Sequence, residues 1–179
     1  MKGLWIGLGM AVLVTRSSLA LVLAGPIVNS ANGHQYYLLD KASWAAAEAE
    51  AITLGGHLVT INDQDEQDWV WSTFGISSGF GSDNLWIGMN DVVAEGSFVW
   101  TSGEPVTYTA WWPGEPNNYS AGEDWGAMWS SLGGKWNDVG PASTPETGYR
   151  AVVEVIPEPS AGLLVGLSLL GAAALRRRK

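Results

Sequence analysis

The sequence predicts one compact domain that mixes two helices with short strands, set between two apolar end segments. Three observations predict it. Apolar residues recur at helical spacing twice, at Trp44, Ala47, Ala51 and Leu54 and again through Trp69, Val70 and Phe74. Short runs rich in aromatic and β-branched residues, at Gln35–Leu39, Leu58–Ile61, Leu85–Met89 and Tyr149–Val155, read as strands. A stretch from Phe98 to Lys135 is crowded with Gly, Pro, Asn and Ser, and long ordered loops of this kind usually carry function.

Each element has a local reason. Ser43 caps a helix over Trp44–Leu54, and Gly55-Gly56 stops it because glycine tolerates the left-handed turn after a helix. Asp63 with Glu66 forms a capping-box-like start to a second helix, which Gly75 ends. Asp65 and Asp68 add negative charge near that N-terminus, where the helix dipole favours it, so capping explains this acidic cluster more simply than a metal does. Gly79–Asn84 is a loop, and Leu85–Met89, apolar throughout, is the central strand. His34 and His57 sit at strand edges and read as structural. Trp111, Trp125, Trp129 and Trp136 read as core.

Composition narrows the function. The chain has 179 residues, 46% of them hydrophobic, with 18 acidic against nine basic residues and no cysteine. Disulfides are therefore excluded, and the fold must rest on its packing, to which eleven Trp contribute large apolar areas. Six of the nine basic residues (Lys2, Arg16, Arg176, Arg177, Arg178 and Lys179) fall in the end segments. The acidic middle lacks the positive footprint that nucleic acid requires.

The ends read as sorting signals. Residues 1–24 have the basic, apolar, small-residue order of a secretory signal, with cleavage after Ala20 or after Ala24; Arg16 interrupts the apolar run. Residues 25–156 form the domain. In residues 157–179, Pro157-Glu158-Pro159 precedes uncharged Ser160–Leu175 and a basic end. Sixteen helical residues span about 24 Å, short of a ~30 Å hydrocarbon core, and the basic side chains can snorkel across part of that difference. This tail resembles the PEP-CTERM sorting signal of Gram-negative bacteria. The resemblance implies recognition by an exosortase, transient anchoring in the inner membrane, and delivery to the cell surface or extracellular matrix. A plain membrane anchor is the other reading.

The chemistry concentrates in Trp111–Asn118, Glu123-Asp124 and Trp136–Asp138. Glu115, Asn117, Glu123, Asn137 and Asp138 are all oxygen donors, with no sulfur or imidazole among them. Such a set suits Ca²⁺, which takes roughly 6 to 8 oxygen ligands, and disfavours zinc or copper.

Ser43-Trp44, Gly55-Gly56-His57-Leu58-Val59, Trp86-Ile87-Gly88, Glu115-Pro116-Asn117 and Trp136-Asn137-Asp138, in that order, resemble the C-type lectin domain over Gln35–Val155. The resemblance implies an α+β fold of two helices and antiparallel strands with a long calcium-binding loop. It implies a principal Ca²⁺ site of Glu115, Asn117, Glu123, Asn137 and Asp138, with a cis Glu115–Pro116 bond aiming the loop at one ion. Glu-Pro-Asn goes with mannose-type sugars, whose neighbouring hydroxyls are equatorial. Glu115, Asn117, Glu123 and Asn137 would then bind sugar as well as metal, while Tyr119 and Trp112 could offer apolar contact to a sugar face. A second metal site would map onto Asp91, Glu95, Asn118 and Asp124. The family's two disulfides map onto Ala51 with Val153 and Trp125 with Pro141, all without cysteine here; the first pair is expected to meet in the core.

The expected function is calcium-dependent carbohydrate binding, with exopolysaccharide a candidate partner. The alternative is a structural or protein-binding domain in which calcium only orders the loop. No nucleophile–base pair or phosphate-binding glycine loop supports an enzyme.

Overall fold

The computed structural model describes residues 20–76, 83–120, 122–140 and 148–158. Eight strands form one sheet in the order β1 (Val22–Val28), β2 (Gln35–Ala42), β8 (Tyr149–Val155), β4 (Leu85–Asn90), β6 (Trp125–Met128) and β7 (Trp136–Val139). Two short strands pair off this path, β3 (His57–Leu58) with β8 and β5 (Val99–Trp100) with β4. All pairs are antiparallel except β4 with β8. The expectation of antiparallel strands is therefore corrected at the centre, where Leu85 lies beside Arg150 and Trp86 beside Ala151 in parallel.

Side-chain alternation along these strands builds a core on each face. Tyr36 and Leu38 of β2, Leu85, Ile87 and Met89 of β4, and Val152 of β8 join one cluster with Val70, Phe74, Trp100 and Trp136. Their alternates Leu39, Trp86, Ala151 and Val153 join the other, against Ala47 and Ala51 of helix α1 (Trp44–Thr53). Burial on both faces is why β4 reads as an unbroken apolar run. Ala51 and Val153, expected to meet, are fully buried in the same cluster. Trp125 packs near Trp44, with ring centroids 6.5 Å apart. Pro141 lies outside the described residues.

The helix signals have their expected local form. The Ser43 hydroxyl accepts from the Ala46 N–H, and Asp63 caps helix α2 (Gln64–Val70) by accepting from the Glu66 N–H at 2.8 Å. Helix α2 then widens into a π-helical turn over Trp71–Ile76, which the apolar spacing did not distinguish from α-helix. Gly56 allows the chain after α1 to press on β8, since a Cβ there would lie 2.0 Å from the Glu154 carbonyl oxygen.

Two expectations need revision, and a third falls outside the described residues. Gln35 does not begin the first strand: β1 precedes it, and its residues Val22–Ala24 overlap the segment expected to be leader. The turn-rich stretch to Lys135 contains strand β6, whose apolar Trp-Gly-Ala-Met is masked by flanking Gly, Asp and Ser. Among the described residues no helix is long and apolar enough to cross a membrane; the apolar part of the tail lies outside them.

Candidate functional site

Strand β7 is the spine of the site. Trp136 is fully buried, with the rings of Trp100, Tyr108 and Trp111 edge-on to it at 5.6, 5.9 and 5.6 Å. Its indole N–H donates to Gln67 Oε1 at 2.8 Å, and Gln67 Nε2 donates to the Gly134 carbonyl, tying β7 to α2. The Trp136 N–H donates to the Ala110 carbonyl, and the Trp112 N–H donates back to the Trp136 carbonyl, each at 2.9 Å. Residues 110–112 are thereby strapped alongside β7.

The loop then turns back over the next two residues of β7. The Glu115 N–H closes a turn on the Trp112 carbonyl, Gly114 takes φ 102, and the Glu115–Pro116 bond is cis. The N–H groups of Asn117 and Asn118 donate to the two carboxylate oxygens of Asp138, at 3.1 and 2.7 Å. Tyr119 N–H donates to Glu123 Oε2 at 2.7 Å, and Glu123 N–H donates to Asn118 Oδ1 at 3.1 Å. The Asn137 amide donates to the Asp138 carbonyl at 2.7 Å. These bonds bring Glu115, Asn117, Glu123, Asn137 and Asp138 into one neighbourhood.

Its electrostatics are those of carboxylates short of positive charge. Asp138 is 1% exposed, and Glu115 Oε2 is buried with no hydrogen-bond partner. Burial first, then Asp138 and next Glu123, hold the Glu115 carboxyl above its usual value. Glu123 is raised as well, by burial and then by Asp138, against the opposing Tyr119 N–H. An orphaned buried carboxylate oxygen beside two like charges fits an oxygen-binding dication.

Asp91, Asp124 and Asn118 are neighbours of Glu95. Asp91 N–H donates to the Asp124 carbonyl at 3.1 Å, and the Gly96 N–H donates to Asp91 Oδ2 at 2.7 Å. Asp91 Oδ1 is buried without a partner. Loss of hydration, then repulsion from Asp91 and Asp124, raises the Glu95 carboxyl, and Asn118 opposes that shift. Of the expected aromatic contacts, Trp112 is 42% and Tyr119 74% exposed. Trp111, Trp125 and Trp129, read as core, are partly buried and packed against the two core clusters, while Trp136 is fully buried.

One cluster escaped the sequence reading. Ligating atoms of His34, Glu66 and Glu154 lie within 4.8 Å of one another. The Tyr36 hydroxyl is 2.7 Å from Glu66 Oε1 and 2.9 Å from Glu154 Oε1, and His34 Nδ1 is 2.6 Å from the latter. The Asn62 and Thr60 N–H groups donate to the remaining oxygens. All four carboxylate oxygens thus have partners, and the cluster locks α2 to β2 and β8. Glu66, read as part of a cap, sends its side chain to the Asn62 N–H and into this lock. Its other partners, Asn32 and Tyr36, are too far away in sequence for any local signal to reveal them.

Comparison with known proteins places this architecture. The lectin C-type domain model matches residues 40–144, and the PEP-CTERM protein-sorting motif matches residues 155–179. The chain belongs to the C-type lectin domain family. The lectin domain is 34% identical over 117 residues to a perlucin-like protein of Mytilus galloprovincialis, covering 64% of this chain and 72% of that one. It is 40% identical over 103 residues to the low affinity immunoglobulin epsilon Fc receptor of Mus musculus, covering 58% of this chain but only 29% of the receptor. Among solved structures it resembles the lectin CEL-I of Cucumaria echinata, with TM-score 0.62 and 28% identity over 76% of this chain and 96% of that one. It also resembles the cow CD23 carbohydrate-recognition domain, solved in the presence of a GlcNAc2Man3 oligosaccharide, with TM-score 0.56 and 29% identity over 70% and 90% of the two chains. This family and fold are generally non-enzymatic, and the sorting motif goes with export in Gram-negative bacteria.

Proposed function

We propose that this lectin domain binds carbohydrate in a calcium-dependent manner, with preference for vicinal equatorial hydroxyls of the mannose type, at the bacterial surface or in its matrix. The observation that carries the reading is the buried, unpartnered Oε2 of Glu115 beside Asp138 and Glu123. Glu115, Asn117, Glu123, Asn137 and Asp138 would hold the ion, and Asp91, Glu95, Asn118 and Asp124 are the candidates for a second. Bound calcium would supply a seat for two neighbouring sugar hydroxyls.

The chain's own residues would read those hydroxyls. Each hydroxyl has one proton to give and lone pairs to fill. Glu115 and Glu123 accept the protons, and the amides of Asn117 and Asn137 donate. One Asn137 N–H is already committed to the Asp138 carbonyl, which leaves its second N–H for a ligand. Trp112 and Tyr119, exposed near these donors, offer apolar contact to a sugar face. The cow CD23 domain, solved with a mannose-containing oligosaccharide, supports this class of partner by similarity. The producer's own exopolysaccharide fits the sorting motif, as do recognition by an exosortase and a transient membrane stage through residues 157–179.

Calorimetry with CaCl₂ at neutral pH, followed by mannose resin with and without chelator, tests the proposal. Heat of association, retention in calcium and elution by EDTA are expected; no heat at millimolar calcium overturns it. A second reading has calcium only ordering the loop, through the same two carboxylates, Asp138 and Glu123, that hydrogen-bond its backbone at residues 117–119. Thermal stabilisation by calcium without any ligand on a broad glycan array would select that reading.

A further inference from the structure

We infer that the mature protein begins at Leu21, its leader being removed after Ala20 and not after Ala24. The inference rests on the export reading above and concerns which of two processing points leaves a complete sheet. Along β1 the burial changes midway. Val22, Leu23 and Ala24 are half-buried, whereas Gly25–Val28 are exposed. Leu23 and Ala24 pack against one core cluster and Val22 against the other. Cleavage after Ala24 would discard the packed half of the strand and keep the solvated half.

The backbone points the same way. Val22 is registered opposite Leu39 and Ala24 opposite Leu38, and the Leu21 carbonyl accepts from the Asp40 N–H at 2.7 Å. A chain starting at Gly25 would lose all of these and bare the edge of β2 over Leu38–Asp40, an invitation to pairing with other chains. A chain starting at Leu21 keeps them. The Leu21 side chain is 66% exposed, so the new ammonium group would lie in a solvated part of the chain. Ala20 leaves with the leader, and although it is buried its loss removes one methyl side chain. The sequence agrees independently: Ser18-Leu19-Ala20 carries small residues at both positions of an A-x-A-like site, whereas Val22-Leu23-Ala24 places a branched valine at the first.

Expression of the full chain in a Gram-negative host, with N-terminal sequencing of the exported protein, tests this. Leu21 is the expected first residue. A start at Gly25, or at any other exported position, overturns the inference while leaving export intact; a chain that keeps residues 1–20 and stays in the cytoplasm overturns both. Ala20→Arg supplies a second readout, since it should block processing and accumulate the uncleaved precursor. An unchanged Gly25 terminus in that variant would refute the inference. Otherwise complete chains started at Leu21 and at Gly25 should differ in Tm by on the order of 10 °C, the longer one being the more stable; equal Tm values would remove the structural basis.

Discussion

Asn137→Asp separates the two duties assigned to one side chain. Asn137 is 8% exposed, and its amide donates to the Asp138 carbonyl at 2.7 Å. Aspartate is nearly isosteric but would set a carboxylate oxygen against that carbonyl and add a charge beside Asp138, Glu115 and Glu123. Losing the hydrogen bond and leaving buried groups unpaired costs about 2 to 4 kcal/mol. In a domain of this size that corresponds to a Tm lower by roughly 10 °C in EDTA. Calcium should narrow the gap, because a carboxylate remains a good ligand. Sugar affinity should fall even at saturating calcium: one donor lost against a bound hydroxyl, at about 1 to 3 kcal/mol, is a factor of about 5 to 150. Scanning calorimetry in EDTA and in calcium, with mannose titration, reads all three effects. Unchanged sugar affinity at saturating calcium refutes the donor role, and an unchanged Tm in EDTA refutes the structural one.

Other perturbations give distinct signatures. Calcium at 100 times its Kd should stabilise the domain by about 2.7 kcal/mol, measured as a Tm rise that EDTA reverses. Glu115 and Glu123 have folded-state pKa values above the ordinary 4.5. Their ionisation therefore opposes folding at neutral pH, and that penalty disappears as pH falls through the raised values towards 4.5. The calcium-minus-EDTA Tm difference should accordingly shrink over that window, and a difference constant from pH 7 to 4.5 would count against these groups. Glu115→Gln should raise Tm in EDTA and diminish the calcium response, whereas Asp138→Ala should lower Tm in both conditions because the Asn117 and Asn118 N–H groups lose their acceptor. Trp136→Phe removes the bond to Gln67 and part of a close-packed ring cluster, for a loss of about 2 to 4 kcal/mol in urea unfolding.

What the sequence disclosed was local. Ser43, Gly55 and Asp63 signal helix ends because a cap is satisfied within a few residues, and each occupies its expected turn. The β-branched content of β8 and the apolar run of β4 reveal strands because each face meets a core. Strand β1 was obscured because an apolar, small-residue segment serves equally as export signal and edge strand. The parallel β4–β8 pairing depends on chain connectivity, and no residue of either strand announces it. In the site, oxygen chemistry and motif order pointed to the candidate residue set, but not to the hydrogen bonds that brace it. Asn118 is the instructive case: considered for a second metal site, it also fastens the loop by accepting from the Glu123 N–H at its side-chain Oδ1, in a left-handed backbone conformation at φ 47.

The absence of cysteine shifts the burden of loop rigidity onto β7. Residues 110–112 are held to Trp136 by backbone bonds, and residues 117–118 to Asp138 by its carboxylate. Residues 119 and 123 close the far end on each other. Every one of these fastenings leads to a residue of the candidate metal set or to its immediate neighbour. Asp138 braces the loop with both oxygens yet keeps lone pairs for a cation, because each carboxylate oxygen can accept more than one bond. Glu115 is different, since its buried oxygen has no protein partner. The loop can therefore hold its shape before a cation arrives, while the charge gathered by that shape remains unbalanced. A loop already fastened in this way has no need of an ion to fold it, and the asymmetry between Asp138, whose oxygens are both used, and Glu115, whose buried oxygen is not, fits a preformed seat that takes up a cation.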